Sequence, residues 1–308
     1  MNAAHLHLML NHVPTIGLVV GVGLYLLSLV RREDPLERVS HELFFVIAVL
    51  ALPTYVTGLG AHLAIADRAD VATGAIDAHH GAALLALACM EMTGFTAWLA
   101  LWRRRRNARS GWGMPVAVLA LALMTLVVLT GAATLGGEIR HPELRTGEAA
   151  ASPGPVAVSS IGAFVGGHPW VWPAAEALHF VGLSLLFGVM AVINLRLLGV
   201  MKAVSFQALH RLLPWGALGF GINVVTGMLF LASAGEQYVE SAPFYWKVAL
   251  LTVGGASLLY LTVGKRLWIL EGGDDAPVLD RAIGAGTIAL WVGVMYLGRM
   301  LPFLGSSF

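Results

Sequence analysis

Residues 40–58 read SHELFFVIAVLALPTYVTG, and residues 209–227 read LHRLLPWGALGFGINVVTG. In both stretches a histidine stands second, at His41 and at His210, and a Thr-Gly pair begins 16 residues after it. Most residues between them are apolar, and a helix of this length covers most of a hydrocarbon core about 30 Å thick. The repeated pattern indicates an internal duplication of a membrane-spanning unit.

The composition extends this assignment to the whole chain. Hydrophobic residues make up 57% and charged residues 12% of the 308 positions, which is typical of a membrane protein. The sequence lacks the short alternating segments of a membrane barrel, so we predict an all-α membrane protein. The eight predicted transmembrane helices lie near residues 8–30, 40–64, 78–102, 113–135, 173–199, 208–233, 243–264 and 282–301.

Basic residues indicate the orientation of these spans. They concentrate in four short loops on one side of the membrane, and the positive-inside rule makes that side cytoplasmic. Both termini and the loop 136–172 then lie outside, as in a multi-pass protein of the bacterial inner membrane. The basic residues are Arg31, Arg32, Arg38, Arg103, Arg104, Arg105, Arg106, Arg109, Lys202, Arg211, Lys265 and Arg266.

The loop 136–172 divides the chain into two halves with four spans each. Its glycine, proline and small residues predict a periplasmic linker with little structure of its own. We therefore predict a first four-helix membrane bundle at 1–135 and a second at 173–308. Because each half has an even number of spans, the repeat is parallel, with its axis along the membrane normal.

Charge and cysteine content exclude several classes of function. A net charge of +1 argues against a nucleic-acid partner. Cys89 is the only cysteine, which excludes an intrachain disulfide, a Cys-x-x-Cys-His haem attachment and a cysteine-held iron–sulfur cluster.

Imidazoles inside a membrane are costly unless they are used, so a metal or haem held by histidines is the first hypothesis.

Two sets of motifs carry a resemblance. The first half has LMLNHVPTIG at 8–17, LPTYVTG at 52–58 and an Asp-Ala-His start to its third span at 77–79. It resembles an uncharacterised family of bacterial four-helix membrane proteins with an Asn-His-x-Pro opening. The second half, with LHFVG at 178–182 and FYWK at 244–247, resembles another such family. The fused layout resembles that of haem-b membrane cytochromes, which implies a bound haem b.

A b-type haem needs two neutral imidazoles from different helices, and the histidines offer such pairs at two depths. His41 and His210 lie toward the cytoplasmic side, where the duplication predicts a haem between the halves. For an outer haem we predict His12 and His79 as ligands. His179, the repeat equivalent of His12, is the rival partner.

The remaining histidines receive other interpretations. His80 is offset by about 100° from the preceding histidine on the same helix, so only one of the two serves a given ligand face. The others are interpreted as interfacial hydrogen-bonding residues, with a surface copper or zinc ion near His5 and His7 as an alternative. This interfacial group comprises His5, His7, His62, His141 and His168.

These observations predict a membrane b-type cytochrome subunit with one or two bis-histidine haems. It would transfer electrons between a periplasmic oxidoreductase or c-type cytochrome and the quinone pool. The expected setting is a quinone-linked, hetero-oligomeric complex surrounded by lipid, with a quinone as a further ligand. Two alternatives stay open: a copper or zinc transporter with the outer histidines as its entry, and a cofactor-free membrane anchor for other subunits.

Overall fold

The computed structural model describes residues 3–65, 73–107, 111–140 and 156–304, and within these ranges it contains helices and no strand. Eight of the helical segments in these ranges are long and apolar enough to cross a membrane. They coincide with the eight predicted spans, so the all-α, eight-span architecture is confirmed. The side of the membrane on which the termini lie stays a prediction.

The helices belong to two compact units, Met1–Ile161 and Gly162–Phe308. The first unit contains α1 (Ala3–Leu10), α2 (His12–Arg31), α3 (Asp34–Ile65), α4 (Thr73–Arg105) and α5 (Gly113–Arg140). The division between the units falls inside the short helix α6 (Val158–Gly167). The second unit contains α7 (Val171–Leu197), α8 (Phe206–Leu209), a 3₁₀ turn (His210–Leu212), α9 (Leu213–Val239), α10 (Ala242–Val263), α11 (Lys265–Trp268) and α12 (Val278–Leu304).

The predicted linker 136–172 is partly helical. The helix α5 continues to Arg140, and α6 occupies much of the other end of this stretch. Both ends of this stretch are therefore helical, whereas we expected little structure there. Residues 141–155, the centre of the predicted linker, lie outside the described residues.

Helices α2 to α5 of the first unit pack each against the next, α5 also contacts α2, and α1 lies on α3. Pro14 stands at the α1–α2 junction, where its missing N–H weakens the helical hydrogen-bond ladder without ending the span. The Tyr25 hydroxyl donates to the Pro115 carbonyl of α5 at 3.1 Å, and the Thr93 and Thr125 hydroxyls are 2.8 Å apart. Such bonds contribute about 0.6 kcal/mol each in a membrane, so close packing carries most of the stability.

Ion pairs join α3 and α4 at the basic end of this unit. The Arg104 guanidinium, in the last turn of α4, lies 2.9 Å from the Asp34 carboxylate and 3.6 Å from the Glu37 carboxylate. Both acids are in the first turn of α3, where negative charge also favours the helix dipole. These partly exposed pairs are worth about 1 kcal/mol or less each, but they place the start of α3 beside the end of α4.

Small residues bring the helices of the second unit together. Gly182 of α7 and Gly219 of α9 face each other so closely that a Cβ built on Gly182 would lie 2.9 Å from the Gly219 carbonyl oxygen. In a second helix pair of this unit, a Cβ at Gly254 of α10 would lie 2.8 Å from the Trp291 ring of α12. Close approach at small residues is the usual basis of helix association in membranes.

Candidate functional site

A large cavity lies within the first unit, at the end opposite the ion pairs of Arg104. Its volume is about 1040 Å³, at the upper end of the roughly 300–1,000 Å³ found for ligand pockets. Residues of α1 to α5 line it, and most of them are apolar or small. Five of its lining residues are histidines, namely His7, His12, His62, His79 and His80.

His7 reaches the cavity from α1 with its imidazole tied to α3. Its Nδ1 lies 3.0 Å from the backbone carbonyl oxygen of Thr54. A carbonyl can only accept, so Nδ1 carries the proton and the neutral ring keeps a lone pair on Nε2. Gly58, one turn further along α3, lies under the ring: a Cβ there would be 3.0 Å from His7 Cε1.

His79 of α4 repeats this arrangement on the other side of the unit. Its Nδ1 lies 2.9 Å from the backbone carbonyl oxygen of Ala132 on α5, which fixes the same tautomer. Gly136, again one turn after the accepting carbonyl, lies under the ring, and a Cβ there would be 2.9 Å from His79 Cε1. The two histidines thus have matching surroundings: a backbone carbonyl for Nδ1, a glycine against the ring and a lone pair on Nε2.

The two imidazoles also share the cavity. Both are among the residues that line it. His7 lies about one turn and His79 about two turns from the start of its helix, at ~1.5 Å per residue, so the two enter the span from the same end of the bundle. A histidine that binds a metal through one ring nitrogen usually donates the N–H of its other nitrogen to a carbonyl or carboxylate. His7 and His79 have such a bond.

His80 has a different partner. Its Nε2 lies 2.8 Å from the hydroxyl of Tyr55 on α3, and the His62 ring stands edge-on to it with 6.2 Å between centroids. We predicted that only one of the two consecutive histidines serves the ligand face, and the geometry favours His79. Tyr55, His62 and His80 instead form a polar edge of the cavity.

The geometry favours a different partner for His79 than the sequence did. His12, our predicted partner, lines the cavity but is exposed, and no hydrogen bond of its ring orients it among the described residues. His7, interpreted from sequence as interfacial, has the supported and oriented imidazole. One signal for it was available: a Leu-His pair at 6–7 matches the Leu-His pair at 178–179.

His41 lies in the first unit but away from this cavity. It is buried, with 3% of its surface exposed, and its ring centroid is 5.2 Å from that of Tyr25. Its Nε2 has no hydrogen-bond partner within the described parts of the chain. A buried nitrogen without a hydrogen-bond partner costs about 1–3 kcal/mol. Because a ligand at Nε2 would remove this cost, the position is compatible with ligand binding.

His210, its predicted partner, lies in the second unit and is fully buried. Its Nε2 lies 3.2 Å from the backbone carbonyl oxygen of Thr262, and its ring stands edge-on to Trp268 with 5.1 Å between centroids. The nitrogen that usually binds haem iron therefore carries a proton here. The local geometry favours a packing role for His210, and the predicted haem shared by His41 and His210 stays a prediction.

The second unit holds one more predicted ligand, His179 of α7. Its Nδ1 lies 2.7 Å from the Thr226 hydroxyl oxygen on α9, and its ring centroid is 5.6 Å from that of Phe230. His179 and His12 therefore do not occupy matching surroundings in the two units.

The number of protein ligands at the first cavity favours a haem over a bare metal ion. Across the described ranges, no three side chains of His, Cys, Asp or Glu come together to hold a metal ion. Zinc and copper usually take three or four protein ligands, whereas haem iron needs only two because the macrocycle supplies four nitrogens. Two lone-pair imidazoles, flanking glycines and a large apolar cavity fit a haem.

Comparisons of the chain with protein families, curated proteins and solved structures found no match. The resemblance to two four-helix membrane families therefore stays a prediction.

Proposed function

We propose that this chain is a membrane b-type cytochrome whose first unit holds one haem between His7 and His79. The observation that carries the proposal is the matched pair of imidazoles on one cavity, each held by a backbone carbonyl through Nδ1. Two such rings from different helices are the axial ligand set of a low-spin b-type haem. The haem, when bound, supplies reversible one-electron transfer.

The chain's own residues do the rest. The carbonyls of Thr54 and Ala132 hold the proton of each neutral imidazole on Nδ1 and fix the orientation of the rings. Gly58 and Gly136 give each ring room to lie against the neighbouring helix. The small and apolar lining would surround a bound macrocycle with nonpolar groups, and the lower local dielectric would tune its redox potential.

Tyr55, His62 and His80 provide the polar groups that the carboxylates of a haem need. A haem propionate at the cavity edge could accept the one proton that the Tyr55–His80 hydrogen bond leaves free, which lies on Nδ1 of His80 or on the Tyr55 hydroxyl. Their role is to position the macrocycle rather than to bind iron.

We further propose the setting predicted from sequence. The chain would transfer electrons between a periplasmic oxidoreductase or c-type cytochrome and the quinone pool, as part of a hetero-oligomeric complex in the bacterial inner membrane. The eight spans support a multi-pass membrane protein in contact with lipid. The cavity of the first unit, with its two supported histidines, provides for one haem.

The test is a reduced-minus-oxidised spectrum of the purified protein, with H79A, H7A and the matched control H168A. His168 lies in the loop after α6 and bonds only to the Phe164 carbonyl within its own segment. We expect a b-type spectrum in the wild type and in H168A, and its loss in H7A and H79A. A wild type that stays colourless after expression with haem, or a spectrum that survives both variants, would contradict the proposal.

A further inference from the structure

A smaller cavity lies in the first unit, at the end of the bundle opposite the cavity lined by His7 and His79. Its volume is about 410 Å³, which is within the range of ligand pockets. It lies where α4 ends and α5 begins, and Arg103 is in the last turn of α4. His79 precedes Arg103 by 24 residues on this helix, about 36 Å at ~1.5 Å per residue, so the two cavities are separate. The described residues that line the smaller cavity are Thr96, Arg103, Gly111, Gly113, Met114 and Ala117.

Arg103 brings a positive charge to this cavity. The next residue, Arg104, is engaged within the protein, at 2.9 Å from Asp34 and 3.6 Å from Glu37. The Nε of Arg103, by contrast, is buried and has no hydrogen-bond partner within the described ranges. A buried donor without a partner is costly, and a guanidinium is the side chain best suited to bind phosphate oxygens. Arg103 therefore favours an anionic ligand in this cavity.

The other walls of the cavity also suit an anion. Gly113 is the first residue of α5, so the positive end of this helix dipole lies at the cavity. A Cβ built on Gly111 or on Gly113 meets nothing within 4 Å, so there is open space beside the backbone. Among the described lining residues there is no carboxylate, and the ammonium of a zwitterionic headgroup would find no counter-ion among them.

The exposed surface that continues from the cavity into the membrane is apolar. Met92 lies one turn before Thr96 and Met124 lies two turns after Ala117, so each shares a helix face with a lining residue. These methionines are 53% and 43% exposed. Met92 lies about 16 Å from Arg103 along α4, at ~1.5 Å per residue, which is about half of a hydrocarbon core. Acyl chains can therefore lie along α4 and α5 while a headgroup lies in the cavity.

We propose that this cavity binds the phosphate group of an anionic phospholipid. The Arg103 guanidinium donates to the phosphate oxygens, and the acyl chains contact the apolar surface of α4 and α5. Basic pockets between transmembrane helices are a known way to recognise such headgroups. Free phosphate shares this chemistry but makes no use of the apolar surface beside the cavity, so the lipid is the favoured ligand. The inference goes beyond the proposed function and does not depend on the haem.

The experiment is native mass spectrometry of the purified full chain in detergent, titrated with dioleoyl-phosphatidylglycerol or, separately, with dioleoyl-phosphatidylethanolamine. The variants are R103Q, which removes the charge, and A117F, which fills the cavity and keeps the charge. The matched controls are R211Q, which removes an exposed charge in the second unit, and V116F, at an exposed position of α5 outside the cavity lining.

We expect the wild type to bind phosphatidylglycerol about tenfold or more tightly than phosphatidylethanolamine, since a hydrogen bond to a charged group is worth at least that factor. R103Q and A117F should lose this preference, because one lacks the guanidinium and the other lacks the space. R211Q and V116F should keep it.

Four results would overturn the inference. The wild type could bind the two lipids equally, the preference could survive in both R103Q and A117F, or it could be lost as fully in R211Q and V116F. Displacement of phosphatidylglycerol by an equal concentration of inorganic phosphate would instead identify a site for free phosphate. Haem spectra of the same samples keep these outcomes apart from the proposed function, because R103Q and A117F lie far from His79 and should retain the haem signal.

Discussion

The two units place a histidine at the same helix-to-helix register and then differ around it. His7 contacts a residue 47 positions further on, at Thr54, and His179 contacts one 47 positions further on, at Thr226. These contacts match Gly58 with Phe230, three residues away from the alignment of the two Thr-Gly pairs. Gly58 leaves space beside the His7 ring, whereas Phe230 packs beside the His179 ring, and the large cavity lies in the first unit.

The two units also differ in a second side chain that lies over a glycine. The first unit has His79 over Gly136, whereas the second has Lys247 over Gly298. An imidazole with a free lone pair can bind iron, while an ammonium can only donate hydrogen bonds. Which kind of ligand a unit can bind therefore depends on a few side chains between its helices, rather than on the helical framework that the two units share.

The largest expected effect comes from the histidines themselves. H79A should abolish most haem binding, because it removes one of the two proposed iron ligands, while H179A in the second unit should leave the haem content unchanged. The measurement is the haem-to-protein ratio from a pyridine extract. If H179A removed as much haem as H79A, the distinction between the two units would be wrong.

A smaller effect is expected from the glycine beneath His79. G136A places a methyl group 2.9 Å from Cε1, so the ring must move and its Nε2 loses alignment with the iron. Disturbing the support of a metal ligand typically costs about 10- to 100-fold in affinity, which haem titration would detect. The matched control is G137A, because a Cβ at Gly137 meets nothing within 4 Å. Equal haem affinity in both variants would show that the close contact has no role.

A third substitution tests packing in the second unit. G219A would press a methyl group against the backbone of α7 at Gly182, which cannot move aside as a flexible side chain can. Overpacking of this kind costs about 1–3 kcal/mol, so we expect a lower thermal unfolding midpoint and an unchanged haem spectrum. G221A, at a position with open space around it, should unfold as the wild type does. A haem spectrum lost in G219A would contradict the assignment of the haem to the first unit.

The smallest effect concerns pH and the loop before α12. The hydrogen bond from Lys202, at 2.5 Å, and then the charge of Arg281 hold the pKa of Asp275 below its ordinary value. A carboxyl whose pKa is lowered by folding stabilises the folded state above its unfolded pKa and loses this contribution as pH falls through the folded pKa. Thermal melts of the wild type should therefore lose slightly more stability on acidification than those of D275N. Identical pH dependence would show that these exposed pairs contribute nothing.

The sequence predicted the helices well because long apolar spans with basic ends leave few alternatives in a membrane. It also singled out His79, whose position at the start of a span is visible in the pattern, and the ligand role of this residue stays a prediction. It could not single out His7, because the feature that distinguishes this residue is a bond to the backbone carbonyl of Thr54, and any residue type supplies a carbonyl. His210 stood in a repeat as clear as that of His41, but periodicity could not reveal its bond to the Thr262 carbonyl, and the haem between these two histidines stays a prediction.

The most direct test is the axial ligation of the wild-type protein compared with H7A and H12A. The account predicts one haem per chain with the low-spin spectrum of two histidine ligands by electron paramagnetic resonance, which H12A retains and H7A loses. A low-spin signal that survives in H7A and disappears in H12A would contradict it.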